Sequence, residues 1–308
     1  MAEKNANRRI DVLGSVNVDL VARVAALPAP GETVAGGDIS VLLGGKGANQ
    51  AIATARAGGD VAMWGAVGAE SFGLRPMAEI AASGVDVAGM ATVEGPTGAA
   101  LIGVDAKGEN NIIVSPGANA HAPEAIDLKS LSGGWLLAQM ELPPAFVALA
   151  FTAAKARGAR TILNAAPALP APDGLFEATD ILIVNETELA RYSGRPLDSQ
   201  SDDDLILDAA KSIRAREDQI IIATLGARGA LTLTPAGPLP TIAPRAEALD
   251  TTGAGDCFCG ALVARLADGA GLDAALAFAA QAAAISVGRR GAAASMPTRD
   301  EIDAALGG

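Results

Sequence analysis

Residues 178–192 run ATDILIVNETELARY, and the way this stretch divides settles the class of fold. Ile181 to Val184 is an apolar run with no polar alternation, the pattern of a strand buried on both faces. Directly behind it, Glu186 to Tyr192 has helical character. The same strand-then-helix unit recurs in both directions along the chain. Ile10 to Leu13, Val61 to Val67, Leu136 to Gln139, Thr161 to Leu163 and Ile220 to Thr224 are further buried strands. Ala48 to Ala57, Phe72 to Ser83, Pro144 to Arg157 and Asp202 to Arg216 are the helices between them. The alternation predicts an α/β protein in three αβα layers, a mostly parallel sheet with helices on both faces. A strand pair near Gly229 to Ala243 and helices starting near Ala254, Leu272 and Arg299 complete the C-terminal third.

Two regions break this rhythm. Leu20 to Val24 and Thr33 to Leu43 lie on either side of the turn Pro28 to Gly31, and Ala99 to Val104 and Asn110 to Val114 flank Lys107-Gly108-Glu109. No helices separate these four strands, so they are expected to form a small antiparallel sheet outside the main one, as a lid or an association surface. No linker divides the chain, and residues 1–308 are expected to be one domain with the lid strands inserted. The acidic triplet Asp202-Asp203-Asp204 suits the first turn of a helix, where negative charge is favourable.

Composition narrows the function. At 50% hydrophobic and 19% charged, the chain can build a large core, and with 3% aromatic residues that core rests on Ala, Val, Leu and Ile. A net charge of −12 and the absence of any Lys/Arg run argue against nucleic acid and anionic membranes as partners. Such a protein still binds a phosphorylated ligand where backbone N–H groups supply the local field. Cys257 and Cys259 stand two apart, which in a helix points them away from each other, and they fit small core residues in a reducing cytoplasm. Met1 to Arg9 is polar and leads into a strand, unlike a signal peptide.

Two glycine-rich segments carry the chemistry. Gly44-Gly45-Lys46-Gly47-Ala48-Asn49 lacks the spacer and the Ser/Thr of a Walker A loop, and it lacks the third glycine of a dinucleotide fingerprint. By pattern alone it is a tight turn before a helix. Asp250-Thr251-Thr252-Gly253-Ala254-Gly255-Asp256 runs small residues into a helix start, leaving the first N–H groups open to an anion. Asp256 is then either an ordinary first-turn carboxylate or a proton acceptor for a hydroxyl attacking phosphorus.

DTTGAGD, continuing CFCGAL, resembles the C-terminal signature of the ribokinase-like (phosphofructokinase-B-type) carbohydrate kinases, and GGKGANQA at Gly44 to Ala51 resembles their N-terminal one. GSVNVDL at Gly14, PGETV at Pro30, TGAALIGVDAKGEN at Thr97, NETE at Asn185 and TLGARG at Thr224 follow in the family's order over almost the whole chain. The resemblance implies transfer of phosphate from ATP to a sugar, nearest in wording to the branch that phosphorylates D-ribose on its 5-hydroxyl. Kinases of other sugars or of nucleosides, and a silent sugar-binding protein, share the same fold. It implies Asp256 as general base and the amides of Gly253, Ala254 and Gly255 as the anion hole. It implies Asn17, Asp19, Gly45, Lys46, Asn49 and Glu141 as the sugar site, although alone Asn17 and Asp19 would be a turn pair and Glu141 a surface carboxylate. For ATP and Mg²⁺ it implies Asn185 and Glu188, otherwise a plain helix start, and Thr224, Leu225, Gly226, Ala227, Arg228 and Gly229, otherwise a hairpin turn. For K⁺ it implies Asp250, Thr252, Ser286, Arg289, Gly291 and Ser295, several through carbonyls. A homodimer through the lid is implied as well. Ala280 and Ala69 stand where the family usually has a polar and an acidic residue.

Overall fold

The computed structural model describes residues 8–307, so most of the polar Met1–Arg9 stretch lies outside the described residues. The main sheet has eight strands in the order β14-β13-β12-β11-β10-β9-β1-β4. These are β1 (Ile10–Leu13), β4 (Val61–Trp64), β9 (Trp135–Gln139), β10 (Arg160–Asn164), β11 (Ile181–Asn185), β12 (Ile220–Thr224), β13 (Ala230–Thr234) and β14 (Gly237–Thr241). All pairs from β4 to β12 are parallel, and β13 and β14 add an antiparallel edge.

The apolar run of β11 behaves as its composition demands. Ile181 and Ile183 enter one core with Ile10, Met63 and Leu137, under the helices Lys46–Arg56, Ala254–Ala267 and Leu272–Val287. Leu182 and Val184 enter the other with Leu13, Leu136 and Leu163, under the helices Pro144–Lys155, Glu186–Ser193 and Asp203–Ile213. Successive residues serve opposite cores because strand side chains alternate across the sheet. Helix ends are locally encoded: Asn185 and Glu188 close a reciprocal capping box, and Asp202 accepts the N–H of Leu205.

Some boundaries differ from the sequence reading. Val61 to Val67 is two strands, β4 and β5 (Ala66–Glu70), separated at Gly65, and β5 pairs with β6 (Ala91–Pro96), which has no apolar run to announce it. The helix expected from Phe72 starts at Pro76, because Phe72 takes a left-handed φ of 51°. The helix expected over Asp202 to Arg216 ends at Ile213.

The lid is a four-stranded sheet in the order β3-β2-β7-β8: β2 (Asn17–Val24), β3 (Gly36–Gly44), β7 (Gly98–Val104) and β8 (Asn110–Ser115). Its outer pairs are antiparallel as expected. Its central pair, β2 with β7, is parallel, because the two hairpins come from separate parts of the chain and leave the body in the same direction.

Two close approaches set the body. Gly47 packs on Gly14, so that an added Cβ would lie 2.4 Å from the Gly14 carbonyl carbon, and the helix from Lys46 thereby starts against the end of β1. Gly260 lets the helix Ala254–Ala267 approach that same helix; a Cβ there would lie 2.7 Å from the Gln50 carbonyl oxygen.

Candidate active site

The carboxyl ends of four neighbouring parallel strands finish on polar residues: Gln139, Asn164, Asn185 and Thr224. Gln139 lies directly opposite Asn164 and Asn185 opposite Thr224. Open α/β sheets hold ligands beyond this edge, and the starts of the helices from Lys46 and Ala254 meet there.

At the Ala254 helix the two glycines differ in kind. Gly253 has a φ of 76°, and a Cβ on it would fall 2.9 Å from that of Ala292, so the backbone itself requires glycine. A Cβ on Gly255 would meet nothing within 4 Å; the space in front of it is open. The N–H of Ala254 turns back to the Thr251 carbonyl at 3.2 Å, closing the turn, whereas those of Gly253, Gly255 and Asp256 have no partner among the described residues. Of the expected trio, Gly253 and Gly255 thus keep unpartnered N–H groups and Ala254 is engaged in the turn, while Asp256 adds a further unpartnered N–H.

Asp256 is buried beside them. Its Oδ2 accepts the Asn49 side-chain N–H at 3.0 Å and its Oδ1 that of Gln50 at 2.9 Å. Burial pushes its carboxyl above the ordinary range, opposed by the Lys46 charge and both amides and reinforced by Glu141. The same attraction raises Lys46 in spite of its burial. Lys46 begins its helix after Gly45, whose φ of 90° makes the turn.

Glu141 is no surface carboxylate: it accepts the Ser15 hydroxyl at 2.5 Å and the Lys46 N–H at 3.1 Å. Asn17 and Asp19 sit on lid strand β2 rather than in a turn. Asn17 is buried and its Oδ1 accepts from Asn119 at 2.9 Å, while Asn119 also clasps both backbone groups of Val16. The Asp19 carboxylate presses on Gly44, where a Cβ would fall 2.3 Å from it. Burial, then the charges of Glu141 and Asp256, push Asp19 up to about 6. The Oδ1 of Asn49 is buried with no partner among the described residues, an acceptor free for a ligand hydroxyl. A cleft of about 1020 Å³ opens under the lid, lined by Asp19, Val21, Leu43 and Ile102 on one side and Thr252 and Gly291 on the other.

The residues expected on the nucleotide side are next door. Glu188 is buried within the capping box, its carboxyl raised chiefly by that burial. Leu225 to Gly229 is a tight turn in which the Leu225 N–H donates to the Gly229 carbonyl at 2.8 Å; Gly226 and Gly229 have φ of 55° and 95°. Ala227 lies within this turn, and Arg228 is not simply solvated: it binds the Ser201 carbonyl and Glu186. Ala280 is buried and Ala69 exposed.

The expected cation residues form a rim beside the helix start. The Asp250 carboxylate accepts the Thr252 N–H and hydroxyl at 3.0 and 2.6 Å and the Gly291 N–H at 2.9 Å. Partial burial works against its ionisation, yet these donors hold the carboxyl below its ordinary value. Ser286 and Ser295 donate to the Ala283 and Ala292 carbonyls, and the Arg289 side chain pairs with Glu301, leaving only its backbone to face inward.

The sequence reading missed Ser15, Gln50, Asn119, Gln139 and Asn164. For Gln139 and Asn164 the only local signal was a polar residue closing an apolar strand run; Ser15, Gln50 and Asn119 carried none. Cys257 and Cys259 are both buried free thiols, and burial pushes Cys257 up to about 12.

Known proteins resemble this chain in sequence and in fold. The profile described as pfkB family carbohydrate kinase matches residues 7–299. The ribokinase of Haemophilus influenzae is 36% identical over 299 residues, covering 96% of this chain and 97% of its own. Ribokinase from Thermotoga maritima superposes with a TM-score of 0.88 at 33% identity, over 97% of this chain and 99% of the other. Arabidopsis thaliana ribokinase, solved with ribose and ATP, gives a TM-score of 0.86 at 31% identity, over 97% of this chain and 98% of that one.

Asp19 makes the site's electrostatic strain measurable. Its folded-state value of about 6 lies above the ordinary 3.8, so its contribution to stability is full below the lower value and lost as pH rises through the upper one. Asp19→Asn is expected to stabilise the fold by about 1–3 kcal/mol at pH 8 and not at pH 3.5. Urea denaturation at both values checks it; an equal gain at both would contradict the assignment.

Proposed function

The chain belongs to the pfkB family of carbohydrate kinases, and from that membership we propose that it transfers the γ-phosphoryl group of ATP to the 5-hydroxyl of D-ribose, giving ribose 5-phosphate and ADP. The observation that carries the reading is one buried carboxylate, Asp256, held by two amide donors beside helix-start N–H groups that have no partner of their own. A binding module has no need of that pairing. The Asp256 carboxylate takes the proton of the hydroxyl as its oxygen attacks the γ-phosphorus, and the bond from that phosphorus to the β–γ bridging oxygen breaks. The open amides at 253, 255 and 256 face the charge on the transferred group, supported by Lys46. Asn17, Asp19, Glu141 and the Asn49 carbonyl oxygen hold the remaining hydroxyls, a set of carboxylate and amide groups suited to a polyol. Thr224 to Gly229 brings backbone to the nucleotide.

The donor sets suit two cations. Glu188 commits one carboxylate oxygen to the capping box, and its buried charge fits Mg²⁺ held largely through water together with Asn185. Bound there, Mg²⁺ would neutralise phosphate charge. At the rim, the carbonyls of Asp250, Thr252, Arg289 and Gly291 accept no hydrogen bond among the described residues, and neutral oxygens beside one carboxylate suit K⁺.

Residues 1–308 act as one kinase unit in this reading, in the cytoplasm, where free thiols persist; no described helix is long and apolar enough to cross a membrane. The lid's outer face carries Ile39, Leu101 and Ile113 at 62%, 48% and 67% exposure. Leu101 pairs directly with Ile113, and this apolar row supports a homodimer formed lid to lid.

Four measurements test the reading. Asp256→Asn keeps its fold by circular dichroism and loses about 10²–10⁴-fold in turnover, with D-ribose the best acceptor in a panel of pentoses, deoxyribose, hexoses and nucleosides scored by ADP release. Unchanged turnover refutes the base, and a preferred nucleoside refutes the substrate. Activity in K⁺ exceeds that in tetramethylammonium at equal ionic strength; equal rates remove the cation site. Ile113→Lys converts a sedimenting dimer to monomer, and a wild-type chain that sediments as a monomer removes the lid interface.

A further inference from the structure

We propose that Gln50 is a positioning residue, which fixes the Asp256 carboxylate for proton transfer and is itself locked by Gln139 and Asn164. The inference rests on the reading of Asp256 as the base and extends it to groups that touch no substrate.

Gln50 has 0% exposure and both polar atoms of its side-chain amide are engaged. Its Nε2 donates to Asp256 Oδ1 at 2.9 Å and to Asn164 Oδ1 at 3.0 Å, and its Oε1 accepts the Gln139 Nε2–H at 2.7 Å. No atom is left over for a ligand. Its neighbour Asn49 differs, donating to the other carboxylate oxygen while keeping its own Oδ1 unpartnered. The two amides divide the work: Asn49 serves carboxylate and ligand together, and Gln50 serves the carboxylate alone.

The lock comes from the sheet. Gln139 and Asn164 are the last residues of β9 and β10 and lie directly opposite each other. Turning the Gln50 amide over would face its oxygen to two oxygens and its NH₂ to that of Gln139, three repulsive contacts in a site without water exposure. Asn164 and the acceptor-only carboxylate fix which end of the Gln50 amide faces Asp256, and Gln139 braces the other end, its own Oε1 having no partner among the described residues. Gly260 permits the approach, since its missing Cβ leaves room for the Gln50 backbone carbonyl.

Electrostatics adds a readout that a purely structural residue would not move. Lys46, Asn49 and Gln50 favour the ionised form of Asp256 against burial and Glu141. Asp19 on the lid, Glu188 behind β11, and Cys257 and Cys259 on its own helix also face it. Losing the Gln50 donor leaves the carboxylate easier to protonate, so activity fades at a higher pH on the acid side.

Gln50→Leu removes the donor at similar size, and Gln139→Leu removes only the strut. Both are to be assayed for kcat and for KM of ribose and ATP from pH 5 to 9, with thermal melts by circular dichroism. Gln50→Leu is expected to lose about 10–100-fold in kcat at pH 7, with both KM values within about threefold and the acid limb of kcat/KM moved up by about one pH unit. Gln139→Leu is expected to move the limb the same way by less. A folded Gln50→Leu with wild-type kcat and limb, or with its whole loss in KM, overturns the proposal. If Gln50→Leu does not fold, an unmoved limb in Gln139→Leu overturns it. Asp256→Asn run in parallel separates the two levels: an active Asp256→Asn sinks the base itself, whereas an inactive one beside a wild-type-like Gln50→Leu sinks only the role of Gln50.

Discussion

Asn49 and Gln50, adjacent on one helix, each give one side-chain N–H to the carboxylate of Asp256 on another. A buried carboxylate without such partners would be protonated or would cost several kcal/mol to keep charged. The contact also sets a geometric demand, because two helices whose side chains are this short must lie nearly backbone to backbone. Gly260 against Gln50, and Gly47 against Gly14, supply that closeness. The alanine-rich composition follows from the same demand: small side chains let helices and sheet converge on one point.

An acidic chain has to receive the still more acidic triphosphate. With a net charge of −12, the protein cannot do so by its overall field. In the proposed reading peptide dipoles at one helix start receive it together with Lys46, whose charge is preserved in a buried place by Asp256. The two glycines of that start show how sequence serves backbone and ligand separately. Gly253 is needed for a left-handed turn against Ala292, whereas Gly255 faces empty space that the protein itself never fills.

Much of this was legible from residues alone, and the exceptions have physical causes. The parallel core strands announce themselves because burial on both faces removes alternation, as Ile181 to Val184 shows. The lid strands were visible from the absence of helices between them. The parallel pairing of β2 with β7 was not, since local pattern carries no information about a partner about 80 residues away. Strand β6, ATVEGP, is largely exposed and carries no apolar signature. In the site, the motif residues Lys46, Asn49 and Asp256 could be listed in sequence, but Gln139 and Asn164 could not. A polar residue ending a strand looks like an ordinary exit to solvent until the pairing of β9 with β10 sets the two side by side. Asn185 and Glu188 show the reverse: the plain helix start legible in NETE is, in the structure, a complete capping box.

All four chain crossings between lid and body lie at one end of the lid. Asn17 stands opposite both Gly44 and Gly98, and Ala99 opposite Ser115. The far end is closed only by the two hairpin turns, so the sheet is a flap on a single hinge line. Along the eight residues of β2 the lever arm is roughly 23 Å, and a swing of about 10° carries the tip about 4 Å while the pivot scarcely shifts. Asn17, clasped by Asn119, sits on the pivot. A swing of this flap therefore displaces the mouth of the cleft far more than the strand ends at Asn17, Gly44 and Gly98.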